Sequence, residues 1–171
     1  MGRVPWDRFQ TLAGIQYYFD TEFQLVRGHV YHSATEWALS SINQHGLWER
    51  PPNLARDGHV AVLSVDIGDF NAPSGHLLDE HGRGKAARDC TVDELATEVW
   101  RQIVENLTSG LPSPPEELVP QPVWYAVDRN LVMSGTGGGD DRPVRNEAPY
   151  LVPVKGDWPN RPGGEPWNPH G

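Results

Sequence analysis

The 171-residue chain has one cysteine, no long apolar run and few basic residues, and each shortage closes off a class of protein. The single Cys90 excludes an intrachain disulfide and fits a reducing compartment, so a cytoplasmic location is expected. No stretch approaches the ~18 consecutive apolar residues of a membrane span, and the N-terminal Met-Gly-Arg-Val-Pro-Trp-Asp has no apolar signal core. Basic residues number 14 against 23 acidic ones, a formal charge of -9. That balance argues against nucleic acid or an anionic membrane surface as a partner, because both need a basic face. Hydrophobic content is only 37 %, with 18 Gly and 16 Pro, which makes the chain loop-rich. Its seven Trp and five Tyr, however, do not fit a disordered chain.

The pattern predicts an α+β fold, a mixed or antiparallel sheet with one long packed helix and an irregular Pro/Gly-rich final third. Leu12–Phe19 reads as a strand closed by the turn signal Asp20-Thr21-Glu22. Leu25–His32 reads as a second strand, with Gly28 marking a bulge. Trp37–Ile42 fits a short strand or a helical turn. His59–Ile67, a β-branched run bounded by glycines, is the clearest strand, and residues 68–90 read as a polar surface excursion. Thr91-Val-Asp-Glu94 is a capping box opening a helix whose apolar stripe is Val92, Leu95, Ala96, Val99, Ile103 and Leu107. Gly110 and Pro112 end it. Two regions follow: an α+β core over 1–111 and an extended region over 112–171, with one more strand, interrupted at Asp128-Arg129-Asn130, expected over Val123–Met133 and a short one at Tyr150–Val154. The segment 156–171 has no periodic apolar residues and is expected to be mobile, docking Trp158 and Trp167 on a partner.

Most candidate sites have simpler explanations. The chain contains no Gly-x-Gly-x-x-Gly turn, the device that holds a dinucleotide pyrophosphate. The loop Ser134-Gly-Thr-Gly-Gly-Gly139 has the wrong spacing and is followed by Asp140-Asp141, so it reads as a flexible turn. His29 and His32 face opposite sides if they lie on a strand, which disfavours a shared metal. No Gly-x-Ser-x-Gly elbow occurs. Cys90 sits before the helix cap, where the dipole would lower a thiol pKa, but a lone cysteine there is usually incidental. Asp66 and Asp69 offer paired carboxylates at a strand end, a place where acids are commonly just solvated. Asn106-Leu-Thr108 matches a glycosylation pattern and reads as the end of the helix.

What remains is an aromatic-rich block. Tyr17, Tyr18, Tyr31, Trp37 and Trp48, with His29 and Asn43 among them, would make a largely apolar wall with a few polar groups. The plain alternative is that these rings are core.

Several segments, in order, resemble the FAD-dependent amine oxidase and phytoene desaturase-type oxidoreductases. They are Gly14-Ile-Gln-Tyr-Tyr-Phe19, Gly28-His29, Ser33 to Gln44 with Trp48, Leu63-Ser-Val-Asp-Ile-Gly-Asp-Phe70, and Cys90-Thr-Val-Asp-Glu-Leu95 through Glu98-Val-Trp100. Asn146-Glu-Ala-Pro-Tyr-Leu151, Gly156-Asp-Trp158 and Arg161-Pro162 continue the likeness. Glu36 stands where the family tends to have Pro, and Asn43 where it has Ser. The family's dinucleotide fingerprint and its flavin-closing segment are absent from the chain.

The resemblance implies two-electron oxidation of a C–N or C–C bond by FAD, with this chain supplying the substrate wall and a partner chain the flavin-binding segments. The substrate-binding residues then expected are Tyr17, His29, Tyr31, Trp37, Asn43 and Trp48, with no cofactor-binding residue in this chain, no assigned catalytic residue and no metal. The expected assembly is a hetero-oligomer with a flavin-binding chain, acting on a small or hydrophobic organic substrate. Two alternatives stand beside it: a non-enzymatic module that binds a small molecule, and a truncated product with a poorly formed fold.

Overall fold

A computed structural model describes residues 9–10, 13–47, 49, 58–111, 119–128, 131–133, 144–146 and 150–151. Trp48, the loop Ser134–Gly139 and the segment 156–171 lie outside the described residues. In chain order the strands are β1 (Phe9–Gln10), β2 (Ala13–Phe19), β3 (His29–Tyr31), β4 (Leu39–Ile42), β5 (Ala61–Ile67), β6 (Pro73–Leu78), β7 (Gly84–Ala86), β8 (Trp124–Val127), β9 (Leu131–Met133), β10 (Val144–Asn146) and β11 (Tyr150–Leu151). The helix α1 (Val92–Thr108) stands between β7 and β8.

The fold is α+β. Five strands form one antiparallel sheet in the order β3-β4-β5-β2-β8, and β1 with β11, β9 with β10 and β6 with β7 form separate antiparallel pairs. At the centre β2 and β5 pair over seven residues, from Ala13 opposite Ile67 to Phe19 opposite Ala61. Side chains alternate across a strand, so this register puts Ala13, Ile15, Tyr17 and Phe19 on the same face as Ala61, Leu63, Val65 and Ile67. All eight are buried.

That face is covered by α1. Its capping box forms, with the Glu94 N–H donating to Thr91 Oγ1 at 3.2 Å and the Thr91 N–H to Glu94 Oε2 at 2.9 Å. Leu95, Val99 and Ile103 are each 0 % exposed and join the sheet residues in one core. Trp100 packs its ring 5.2 Å from Tyr17 and 5.5 Å from Phe19. Polar groups pin the same contact. Glu98, though buried, accepts from Ser74 Oγ at 2.6 Å, from Arg101 and from Gln102 Nε2 at 3.0 Å. Gln102 in turn accepts from the Trp37 backbone N–H at 3.2 Å.

Four expectations change. The second strand shrinks to His29–Tyr31 because Leu25 instead donates its N–H to Asn43 Oδ1 at 2.9 Å, and Gly28 turns the chain at φ 145°. Residues 68–90 are not a polar excursion alone. They hold the hairpin β6–β7, and Phe70, Ser74, Ala86, Ala87 and Cys90 are buried. The stretch Val123–Met133 splits between two sheets, with β8 flanking β2 and β9 pairing with β10. The sheet is therefore not confined to residues 1–111, since Tyr125 lies opposite Tyr17 and the Val123 N–H donates to the Tyr18 carbonyl at 2.8 Å. At the C-terminal end, Tyr150–Leu151 pairs with β1, and residues 152–154 lie outside the described residues. Among the described residues, no helix is long and apolar enough to cross a membrane.

Candidate functional site

The face of the sheet turned away from α1 carries the residues of opposite parity. Gly14, Gln16 and Tyr18 come from β2, Ser64 and Asp66 from β5, Ser40 from β4, Tyr31 from β3, and Trp124 and Ala126 from β8. Together with Ala38, Gln44, Gly68 and Asp128 they line a groove of about 910 Å³. One row of Cα partners crosses four strands as Tyr31, Ser40, Asp66 and Gly14. A hydrogen-bonded rail runs along the floor: the Tyr18 hydroxyl donates to Gln16 Oε1 at 2.9 Å, and Gln16 Nε2 donates to Ser64 Oγ at 3.3 Å. At one end Tyr18, His59 and Trp124 cluster, with ring centroids 5.0 to 6.2 Å apart.

The other end is built on tight backbone geometry. Ala38 adopts φ 50°, a left-handed conformation that costs an L-residue about 1–2 kcal/mol. Gly68 closes against it, donating its N–H to the Trp37 and Ala38 carbonyls, and a Cβ on Gly68 would lie 2.8 Å from the Ala38 oxygen. Asp66 stands beside this corner. Partial burial pushes its carboxyl above the ordinary aspartate range, and the nearby His29 pulls it back in part. Asp69 does not join it as a paired acid, because its Oδ1 accepts from the N–H groups of Asn71 and Ala72 and holds a turn.

The structure divides the six residues expected to form a substrate wall. Tyr17 and Trp37 lie in the core beneath α1: the Tyr17 hydroxyl donates to the Ala96 carbonyl at 2.7 Å, and Trp37 Nε1 donates to the Ala72 carbonyl at 3.0 Å. Asn43 is buried and holds the 20–25 loop, donating to the Phe23 carbonyl and accepting from the Leu25 N–H. His29 and Tyr31 are on the open side, Tyr31 being 81 % exposed. Trp48 lies outside the described residues. The five described ones do not converge: Tyr17, Trp37 and Asn43 are buried, whereas His29 and Tyr31 are exposed on the open side. The residues that do share the groove were legible only as the other half of the strand alternation.

His32 is 1 % exposed and takes no part in the groove. Its Nδ1 meets Asn106 Oδ1 at 3.0 Å and its Nε2 meets Ser41 Oγ at 2.8 Å. An amide oxygen only accepts, so the proton sits on Nδ1 and the Ser41 hydroxyl donates to Nε2. The order of a hydrolase triad is there, but the serine is 2 % exposed and faces the core, so no substrate reaches it. Cys90 is likewise no nucleophile. Burial pushes its thiol up to about 12, and its Sγ donates to the Ala86 carbonyl.

Among the described residues, no group of three or more His, Cys, Asp or Glu is placed to hold a metal ion. The one long helix among the described residues opens on a capping box already satisfied by Thr91 and Glu94, with Asp93 adding charge that would repel a pyrophosphate. No protein-family model, curated protein or solved structure matches the chain.

Proposed function

We propose that this chain is the substrate-binding part of a split FAD-dependent oxidoreductase of the amine oxidase and phytoene desaturase type, with the flavin-binding segments supplied by a partner chain. One observation carries the reading. The segments that resemble that family, Gly14–Phe19, Ser33 to Gln44, Leu63–Phe70 and Cys90–Trp100, contribute β2, β4, β5 and the first half of α1. These are the three central strands of one sheet and the helix that covers its back. A shared order along the chain thus becomes a single structural unit with a free face. The groove on that face is the substrate wall in this reading, with Tyr31 retained as a lining residue and Tyr18, Gln16, Ser40, Asp66 and Trp124 added to it.

The chain's own residues orient and enclose, while the redox chemistry belongs to the cofactor held by the partner. Neither the sequence nor the described helix offers a pyrophosphate cradle. The purified chain is therefore expected to be colourless and without oxidase turnover. Mixed with a partner that carries a Gly-x-Gly-x-x-Gly segment, it should give a yellow complex with flavin absorbance. Stoichiometric FAD on the isolated chain would overturn the split arrangement. A second reading, a ligand-binding module without redox activity, draws on the groove being formed by residues of this chain alone. It would gain if the chain binds a small molecule yet stays colourless with every flavin-binding partner from its own genome.

A further inference from the structure

We propose that the groove on the open sheet face selects an elongated organic cation, with a guanidinium or ammonium group on Asp66 and an apolar body lying toward Tyr18 and Trp124. Asp66 is the carboxylate on the β5 part of the floor, and its row neighbours are small: Ser40 on one side and Gly14 on the other. A Cβ on Gly14 would come 3.6 Å from Asp66 Oδ1, so glycine keeps the space beside the carboxylate open. No Lys, Arg or His of the described residues lies within ion-pair distance of it; His29 acts only through its field. An exposed carboxylate with no cationic side chain of the described residues against it is open to a cation from solution.

The rest of the groove sets the shape of the guest. Tyr31, in the same row, presents an exposed ring, and a ring face attracts a cation, a planar weakly hydrated guanidinium above all. Asp66 is the fourth residue after Val62, whose β2 partner Tyr18 is in turn paired with Trp124. That is about 13 Å along the strand at ~3.3 Å per residue. The guest is therefore long, charged at one end and apolar or aromatic at the other. Other ionisable groups on the same side are His29, Tyr31, Tyr18, Asp128 and, beside Tyr18 and Trp124, His59; Asp128 is engaged in an interaction of its own, and either histidine opposes the preference when protonated.

The inference rests on the groove being the ligand wall and needs no flavin, so it is tested on the full chain alone. Phenylhexylguanidinium and the neutral phenylhexanol are titrated by calorimetry and by amide chemical shifts. The cation is expected to bind about tenfold more tightly than the alcohol and to shift Ser40, Ser64 and Asp66. Asp66→Asn removes the preference, and Ser40→Lys, which places a competing ammonium beside the acid, removes it as well. Trp124→Ala weakens both probes alike. Equal binding of the two probes, no saturable binding of either, or a preference that survives both Asp66→Asn and Ser40→Lys would each overturn the inference. A yellow complex with the partner chain but no such preference would sink this inference and leave the split-enzyme reading standing.

Discussion

Single side chains separate structural from ligand-facing roles most clearly at His32. Burial, the larger influence, holds its imidazole below the usual histidine range, and the bond to Asn106 offsets this only in part. The folded state therefore takes up a proton less readily than the unfolded chain, whose histidine titrates near ~6.5. Stability from this group is complete above that value and falls as pH drops through it toward the lower folded pKa. His32→Gln should flatten that part of the stability–pH curve, read by urea melts across the range. A slope unchanged by the substitution would show that other groups set it. Cys90 gives a kinetic reading of the same core. Its thiol, pushed up by burial, should stay silent to a disulfide reagent at mildly alkaline pH until the chain unfolds; prompt labelling of the native protein would contradict its place under α1. Neither role was legible beforehand. Composition marks Tyr17, Trp37, His32 and Cys90 as interesting, but only the register says which way each one faces.

Elements were easier to read than residues. The capping box at Thr91 and the stripe Leu95, Val99, Ile103 state a helix in local terms, and α1 follows them from Val92 to Thr108. Val99 is 0 % exposed in the shared core, so Val99→Asp buries an unpaired charge and should cost several kcal/mol, enough to unfold a marginal domain. A thermal melt within a degree or two of the parent would mean that α1 is not docked through this stripe. The β-branched run before Gly68 and the aromatic run before Asp20 likewise announced β5 and β2. The hairpin β6–β7 was missed because its strands, Pro-Ser-Gly-His-Leu-Leu and Gly-Lys-Ala, lack alternation. They are held instead by contacts distant in sequence. Ser74 donates to Glu98 on the helix, and Lys85 sits 2.5 Å from Glu94. Burial alone would raise the Glu98 carboxyl, yet the bonds from Arg101, Ser74 and Gln102 together hold it below the ordinary range. Sequence spacing does not encode such a network.

At the scale of the molecule, the governing fact is a sheet with helix on one face and a groove on the other. Its consequence is a separation of evolutionary pressures along a single strand. In β2, Ala13, Ile15, Tyr17 and Phe19 are buried in the core and answer to folding, whereas Gly14, Gln16 and Tyr18 between them are half-buried on the other face. Saturation mutagenesis scored for abundance alone should show intolerance at every second position of β2 and β5, and also at Val62, which is buried from the groove side. The same library scored for binding of a cationic ligand, if the groove takes one as proposed, should lose the intervening positions as well, beginning with Asp66. The two maps would differ by one residue in phase. Their subtraction would outline what the protein recognises before any ligand had been identified.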